Sequence, residues 1–252
     1  MDNVQNELKY KFGLIGKNID YSFSRGYFSE KFQAENLPYT YVNFDLGHIS
    51  EFENIFQSSE TIKGLNVTIP YKEAIIPFLD KLNKRAKKIG AVNTIKVNKK
   101  GKLIGYNTDY YGFKNSLKPH LNSNHKKALI LGTGGASKAI AYALKQLKIE
   151  FHFVSRAKKE NVTFIYSELT EEIIKEHQIL INCSPVGTYP NVNACPDIPY
   201  DGISEHHILY DLIYNPEQTK FLKLGDSQNA ITINGLKMLE LQAEKSWEIW
   251  NS

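Results

Sequence analysis

The chain has 252 residues, 42% of them hydrophobic and 23% charged, a composition that excludes a disordered or fibrous protein and suits one large domain or two modest ones. Its net charge of +4 is too small over this length to mark a nucleic-acid partner, and no run approaches the ~18 apolar residues of a membrane span. Two cysteines, Cys183 and Cys195, build neither a disulfide framework nor a four-cysteine zinc site. The first residues, MDNVQNELKYKF, lack the apolar core of a signal peptide, so the expected compartment is the cytoplasm.

In chain order, the pattern predicts a strand at Tyr10–Gly16, a helix at Ser24–Leu37 capped by Ser24, and strands at Tyr39–Leu46 and Gly64–Thr68. A helical stretch follows over Lys72–Ile89, interrupted at Pro77, then strands at Ala91–Val97 and Lys102–Gly105 joined by a Lys-Lys-Gly turn. Strands alternating with helices imply an α/β layer with a largely parallel sheet. The polar run Asn122–Lys127 is a natural junction, after which the pattern restarts. Strands are predicted at Ala128–Leu131, Phe151–Ser155, Val162–Tyr166, Ile179–Asn182 and Ile208–Ile213, with helices at Gly134–Leu147 and Glu168–His177. The last helix, Asn234–Trp250, carries Leu236, Leu239, Ala243, Trp247 and Trp250 on one apolar face.

The run ALILGTGGASKAIAYAL reads as strand, glycine turn and helix. Gly132 and Gly134 match the first two glycines of a dinucleotide fingerprint, where a missing side chain lets a pyrophosphate approach the amides of a helix N-terminus. Ser137 stands at the third position, so the match is partial and a tight turn without a ligand is the alternative, but the strand–turn–helix context favours nucleotide binding. An NAD site carries an acid at the end of the next strand, but this chain has Ser155-Arg156-Ala157-Lys158-Lys159 and no acid before Glu160. Arginine is scarce here, with only Arg25, Arg85 and Arg156 among 31 basic residues. Its presence at the diagnostic place favours NADP, whose 2′-phosphate a carboxylate would repel, over NAD. The missing acid also speaks against S-adenosylmethionine.

Four segments of the first half set small polar and ionisable residues beside sheet ends: Tyr21–Ser24, Asn66–Lys72, Gly90–Thr94 and Gly105–Asp109. Singly each has a bland reading. Ser24, Thr68 and Thr108 could cap helices, Lys72 could be solvated, and Asn93 could sit in a turn. Together they offer hydroxyls, amides, an ammonium and a carboxylate, which suits a small polyhydroxylated carboxylate. The seven histidines show no metal-ligand spacing, and His206-His207 reads as a surface pair.

Over nearly its whole length the chain resembles the shikimate dehydrogenases. The resemblance rests on Ser22 and Ser24, NVTIPYK, GAVNT, GYNTDYYG, GTGGASKA, SRAKK, LYDLIYNP and NGLKMLELQ, in that order. It implies two α/β domains: an N-terminal substrate domain with a mostly parallel sheet (residues 1–108 plus 235–252), and a Rossmann-like NADP-binding domain (109–234). The C-terminal helix would pack back on the first. The implied reaction is reversible reduction of 3-dehydroshikimate to shikimate by NADPH, in aromatic amino acid biosynthesis, by a monomer or homodimer without a metal.

The resemblance places Ser22, Ser24 and Tyr214 at the substrate carboxylate, and Thr68, Lys72, Asn93, Asp109 and Gln242 around the ring hydroxyls. Lys72 would be the proton donor, held by Asp109, because partial desolvation of an ammonium lowers its pKa. Gly132, Gly134, Gly135 and Ala136 would cradle the pyrophosphate, and Ser155, Arg156, Lys158 and Lys159 the 2′-phosphate end. Ser184, Thr188, Ile213 and Gly235 would lie on the nicotinamide side. Three positions depart from the family: Thr188 replaces a methionine, Ser155-Arg156-Ala157 replaces Asn-Arg-Thr, and Arg25 stands where a proline is frequent. The alternatives are a quinate/shikimate dehydrogenase with relaxed use of NAD, a folate-linked NADP dehydrogenase, and a non-catalytic cofactor-binding regulator. The two serines and the Asn-Thr-Asp segment disfavour the folate enzyme; joint retention of Lys72 and Asp109 disfavours the regulator.

Overall fold

The computed structural model describes residues 10–20, 22–57 and 61–252; Tyr21 and most of the amino-terminal stretch read above lie outside them. By backbone proximity the chain separates into two compact units, residues 1–108 with 243–252, and residues 109–242. The second passage between them falls inside the last helix, between Gln242 and Ala243, rather than at its start.

The first unit holds β1 (Tyr10–Gly16), α1 (Phe23–Ala34), β2 (Thr40–Asp45), β3 (Thr61–Val67), β4 (Lys81–Leu82), α2 (Lys84–Ile89), β5 (Thr94–Val97) and β6 (Leu103–Tyr106). They form one sheet in the order β2-β1-β3-β5-β6-β4. Only β5 runs against the others, so the mostly parallel expectation holds. β5 reverses because the Lys-Lys-Gly segment is a hairpin turn: the Asn98 side-chain oxygen accepts from the amides of Lys100 and Lys102, each at 2.9 Å.

Two local expectations are corrected. α1 begins at Phe23 with Ser22, not Ser24, as its cap, the Ser22 hydroxyl accepting from the Arg25 amide at 3.3 Å; Ser24 is buried instead. Residues 72–89 are not a broken helix. Pro77 sits in the first turn of a short 3-10 segment (Ile76–Phe78), where its missing N–H costs nothing. The strand β4 then intervenes, and α2 starts afresh where the Asn83 side chain accepts from the Arg85 amide at 2.9 Å.

The second unit adds α3 (Asp109–Leu117), β7 (Lys127–Leu131), α4 (Gly135–Leu147), β8 (Glu150–Ser155), β9 (Phe164–Ile165), α5 (Glu171–Glu176), β10 (Ile179–Asn182), β11 (Ile208–Asp211), α6 (Lys220–Ser227), β12 (Ile231–Ile233) and the start of α7 (Leu236–Asn251), whose residues from Ala243 onward belong to the first unit. Every pairing is parallel, in the order β12-β11-β10-β7-β8-β9. That is the doubly wound 3-2-1-4-5-6 arrangement, whose topological switch point lies between β7 and β10. α3, α6 and β12 are not among the elements the pattern predicted. α3 packs two tyrosines, a glycine and a phenylalanine into nine residues, and its place is set by packing rather than propensity. His207 is a further correction: it is buried, its ring nitrogens within 3.1 Å of the Ser204 amide and the Ile174 carbonyl.

Each unit has its own core. In the first, Phe12, Phe28, Phe32, Tyr41 and Trp250 pack together, with Phe12 and Trp250 centroids 4.9 Å apart. Gly64 is obligatory there, because a side chain would enter the Trp250 indole, whose N–H donates to the Ile95 carbonyl at 3.0 Å. In the second, Leu129, Leu131, Val154, Leu180, Leu209 and Phe221 fill the space between sheet and helices. Among the described residues no helix is long and apolar enough to cross a membrane.

Candidate active site

In the first unit the reversal of β5 is what assembles the polar segments. Asn66 at the end of β3 lies opposite Thr94 at the start of β5, and Thr94 lies opposite Tyr106 at the end of β6. The loop after β1 leaves the same edge, since Ile15 pairs with Val67. Ser22, Ser24, Thr68, Asn93 and Thr108 therefore come from one edge of the sheet. Lys72 is half-buried and anchored there by its backbone, the carbonyl accepting from the Val92 amide at 2.7 Å.

Behind that edge runs a buried hydrogen-bond network. Tyr41 contacts Ser24 through its hydroxyl, which donates to the Asn66 side-chain oxygen at 2.8 Å. Burial pushes the Tyr41 phenol well above its ordinary range, so it stays a donor. The Asn66 amide donates to the Ser246 hydroxyl at 3.1 Å, and Ser246 lies 2.8 Å from the Thr94 hydroxyl. The Asn93 side-chain oxygen accepts from the Thr108 amide at 2.6 Å, and its Nδ2 donates to the Thr108 hydroxyl at 2.9 Å. Tyr41, Asn66 and Ser246 were not foreseen from sequence. Arg25 also finds a place: its guanidinium donates to the Asp20 carbonyl at 3.0 Å and closes the loop that carries Ser22.

In the second unit the parallel sheet puts the carboxyl ends of β7, β8, β10, β11 and β12 on one edge. Gly132 follows β7 with φ of 116°, a conformation reserved for glycine, and a Cβ there would come within 3.2 Å of the Cys183 backbone. The glycine turn is thereby pressed against the loop after β10, at the switch point. Gly134 caps α4, and nothing would lie within 4 Å of a Cβ built on it, which leaves room for a ligand against the backbone. Ser137 fits the third fingerprint position because its hydroxyl donates to the Gly134 carbonyl at 2.6 Å. Turn and helix N-terminus together, from Gly132 through Gly135 and Ala136, fit a dinucleotide pyrophosphate.

At the end of β8 the Ser155 hydroxyl donates to the Ala157 carbonyl and accepts from the Ala157 amide, a tight turn that leaves Arg156 exposed. Lys158 is engaged elsewhere, donating to the Thr163 carbonyl at 2.9 Å and pairing with Glu168 at 3.3 Å, while Lys159 is exposed. The Ile165 amide and Lys158 hold the Glu168 carboxyl below its usual range.

After β10, the Asn182 side-chain oxygen accepts from both the amide (3.0 Å) and the hydroxyl (2.7 Å) of Ser184, and the Thr188 amide donates to the Pro185 carbonyl at 3.2 Å. The Gly235 amide donates to the Ile213 carbonyl at 3.0 Å, bringing Gly235 beside Ile213 and Tyr214. Asp109 opens α3 as a buried carboxylate, and α3 meets α7 at Gly112, against the Met238 carbonyl and Gln242. Gln242 is buried and donates to the Leu239 carbonyl at 3.0 Å. A second unforeseen group is Asp211, fully buried at the end of β11, whose carboxyl is pushed up to about 6 by burial.

Residues 14–95 match the family described as shikimate dehydrogenase substrate binding domain. The shikimate dehydrogenase (NADP(+)) of Methanosphaera stadtmanae is 39% identical over 256 residues, covering 94% of this chain and 90% of that one. The crystal structure of shikimate dehydrogenase 1 from Peptoclostridium difficile is 39% identical, with a TM-score of 0.81 over 96% of this chain and 91% of that one. The Thermus thermophilus shikimate 5-dehydrogenase structure, a complex with NADP(H) and shikimate, is 28% identical, with a TM-score of 0.84 over 96% and 93% of the two chains. With such identity sustained over nearly the full length of both partners, on this two-unit fold, the chain belongs to the shikimate dehydrogenase family.

Proposed function

We propose that the chain catalyses the reversible NADPH-dependent reduction of 3-dehydroshikimate to shikimate, as a cytoplasmic monomer or homodimer, with the first unit as substrate domain and the second as cofactor domain. One observation carries the reading: in each unit the segments that family membership makes functional leave a single edge of its sheet. The hydroxyls of Ser22 and Ser24, with the Tyr214 phenol, hold the substrate carboxylate. Thr68, Asn93 and Gln242 take ring hydroxyls through neutral donors and acceptors. NADPH, when bound, supplies the hydride. Lys72 gives a proton to the carbonyl oxygen as negative charge develops on it, and Asp109 holds that ammonium and the reacting hydroxyl.

The amides from Gly132 to Ala136 take the pyrophosphate. Arg156, supported by Ser155 and Lys159, takes the 2′-phosphate; Ser184, Thr188, Ile213 and Gly235 border the nicotinamide. A second reading, relaxed use of NAD and quinate, is favoured by the engagement of Lys158 with Glu168, which subtracts one cation from the phosphate end. Absorbance at 340 nm decides between them when shikimate and quinate are each offered with NADP and with NAD. Turnover of shikimate with NADP well above the other three combinations is expected. Comparable rates with NAD would establish the relaxed enzyme, and no turnover of shikimate with either cofactor would overturn both readings.

A further inference from the structure

Asp211 is a carboxylate with no exposed surface, yet no cation pairs with it among the described residues. It has three donors instead. Its Oδ1 accepts from Asn182 Nδ2 at 3.1 Å and from the Ile213 amide at 3.0 Å, and its Oδ2 accepts from the Thr219 hydroxyl at 2.7 Å. Those donors belong to the last residue of β10, the loop after β11 and the cap of α6. A carboxylate can only accept. The Asn182 amide must therefore turn its NH2 toward Asp211, which leaves its oxygen for the amide and hydroxyl of Ser184 and shares the NH2 with the Val186 carbonyl at 3.1 Å. The Ser184 amide, which only donates, and the Val186 carbonyl, which only accepts, ask for the same orientation, so Asp211 locks it from a third side. Keeping an ion in this place is expensive, and its one evident return is the fixed geometry of two neighbouring loops.

We infer that Asp211 is a positioning residue for the nicotinamide half of the cofactor: it sets the Asn182 amide and the Ile213 backbone, and through them Ser184 and Ile213, without touching cofactor or substrate itself. The inference rests on the reading of those loops as the nicotinamide side. The adenine half is bound from β7 and β8, which Asp211 does not contact, so the two halves can be separated experimentally.

The test compares Asp211→Ala, Asp211→Asn and wild type by titration with NADPH and with adenosine 2′,5′-bisphosphate, which carries only the adenine half, alongside kcat and KM. Loss of hydrogen bonds to a charged acceptor predicts that Asp211→Ala weakens NADPH by about tenfold or more. Its affinity for the bisphosphate should stay within about twofold of wild type, because no contact to that half is lost. Asp211→Asn keeps an oxygen at the Oδ1 position and should restore NADPH binding to within about threefold. Should Asp211→Ala not fold, Thr219→Val removes one donor and must show the same bias against NADPH. Equal loss for both ligands, or loss for neither, overturns the inference. Wild type that binds neither ligand overturns the cofactor reading beneath it.

Discussion

Lys72 and Asp211 are opposite uses of a charge. Lys72 is half-buried at an edge where hydroxyls and amides converge. If Lys72 is the proton donor as proposed, replacing it with alanine leaves the second unit undisturbed, so turnover should fall by about 10²–10⁴-fold while NADPH affinity is retained. Single-turnover rates and a cofactor titration check this, and a loss below about tenfold would remove Lys72 from the proton-donor role.

Asp211 is instead held where ionisation is costly. Its carboxyl titrates at about 6 in the fold against 3.8 in its ordinary state, so folding favours the protonated form. That stabilisation is complete below the ordinary value and is lost as pH rises through 6. Above that pH the buried ion costs the fold about 3 kcal/mol. Asp211→Asn should therefore differ least from wild type in thermal stability below pH 3.8 and gain on it progressively until pH passes 6. A gap that does not widen with pH would show that the ion is better solvated than its burial implies.

Among elements, the proposed function assigns cofactor binding to the strand–turn–helix around Gly132 and cofactor choice to the end of β8. Arg156 is exposed at that end and Lys158 is tied to Glu168, so on the proposed reading discrimination falls to Arg156 with Lys159. Arg156→Ala should lower kcat/KM for NADP far more than for NAD, and an unchanged ratio would move the phosphate site elsewhere. These elements were legible because each rests on short-range chemistry: an apolar strand, a glycine at positive φ, a cap. Residues 72–89 were not, because helical spacing of apolar residues concealed Asn83 as a fresh N-cap. The polar segments were legible as a set, but not what supports them. Asn66 reaches Ser246 across 180 residues of sequence, and Asp211 gathers its donors from a strand end, a loop and a helix cap. Neither partnership has a local signature. The reversed strand β5, which brings the polar segments to one edge, is likewise a consequence of pairing rather than of pattern.

At the scale of the molecule, the chain closes its first unit with its last ten residues, 243–252. Those residues carry both tryptophans of the sequence. Trp247 and Trp250 pack against Phe12 and Phe32 or Phe28, and Ser246 completes the network behind the substrate edge. Removing one buried tryptophan costs about 3–5 kcal/mol, against a total stability of about 5–15 kcal/mol for a domain. A chain ending at Gln242 loses Trp247, Trp250 and Ser246 together, so its first unit should not fold. The second unit keeps its six-stranded sheet and its own core. Calorimetry on the shortened chain should then show a single transition that NADPH raises and shikimate leaves alone. A transition raised by shikimate would mean the first unit stands without its closing segment. No transition at all would mean that the second unit depends on the first for its own stability.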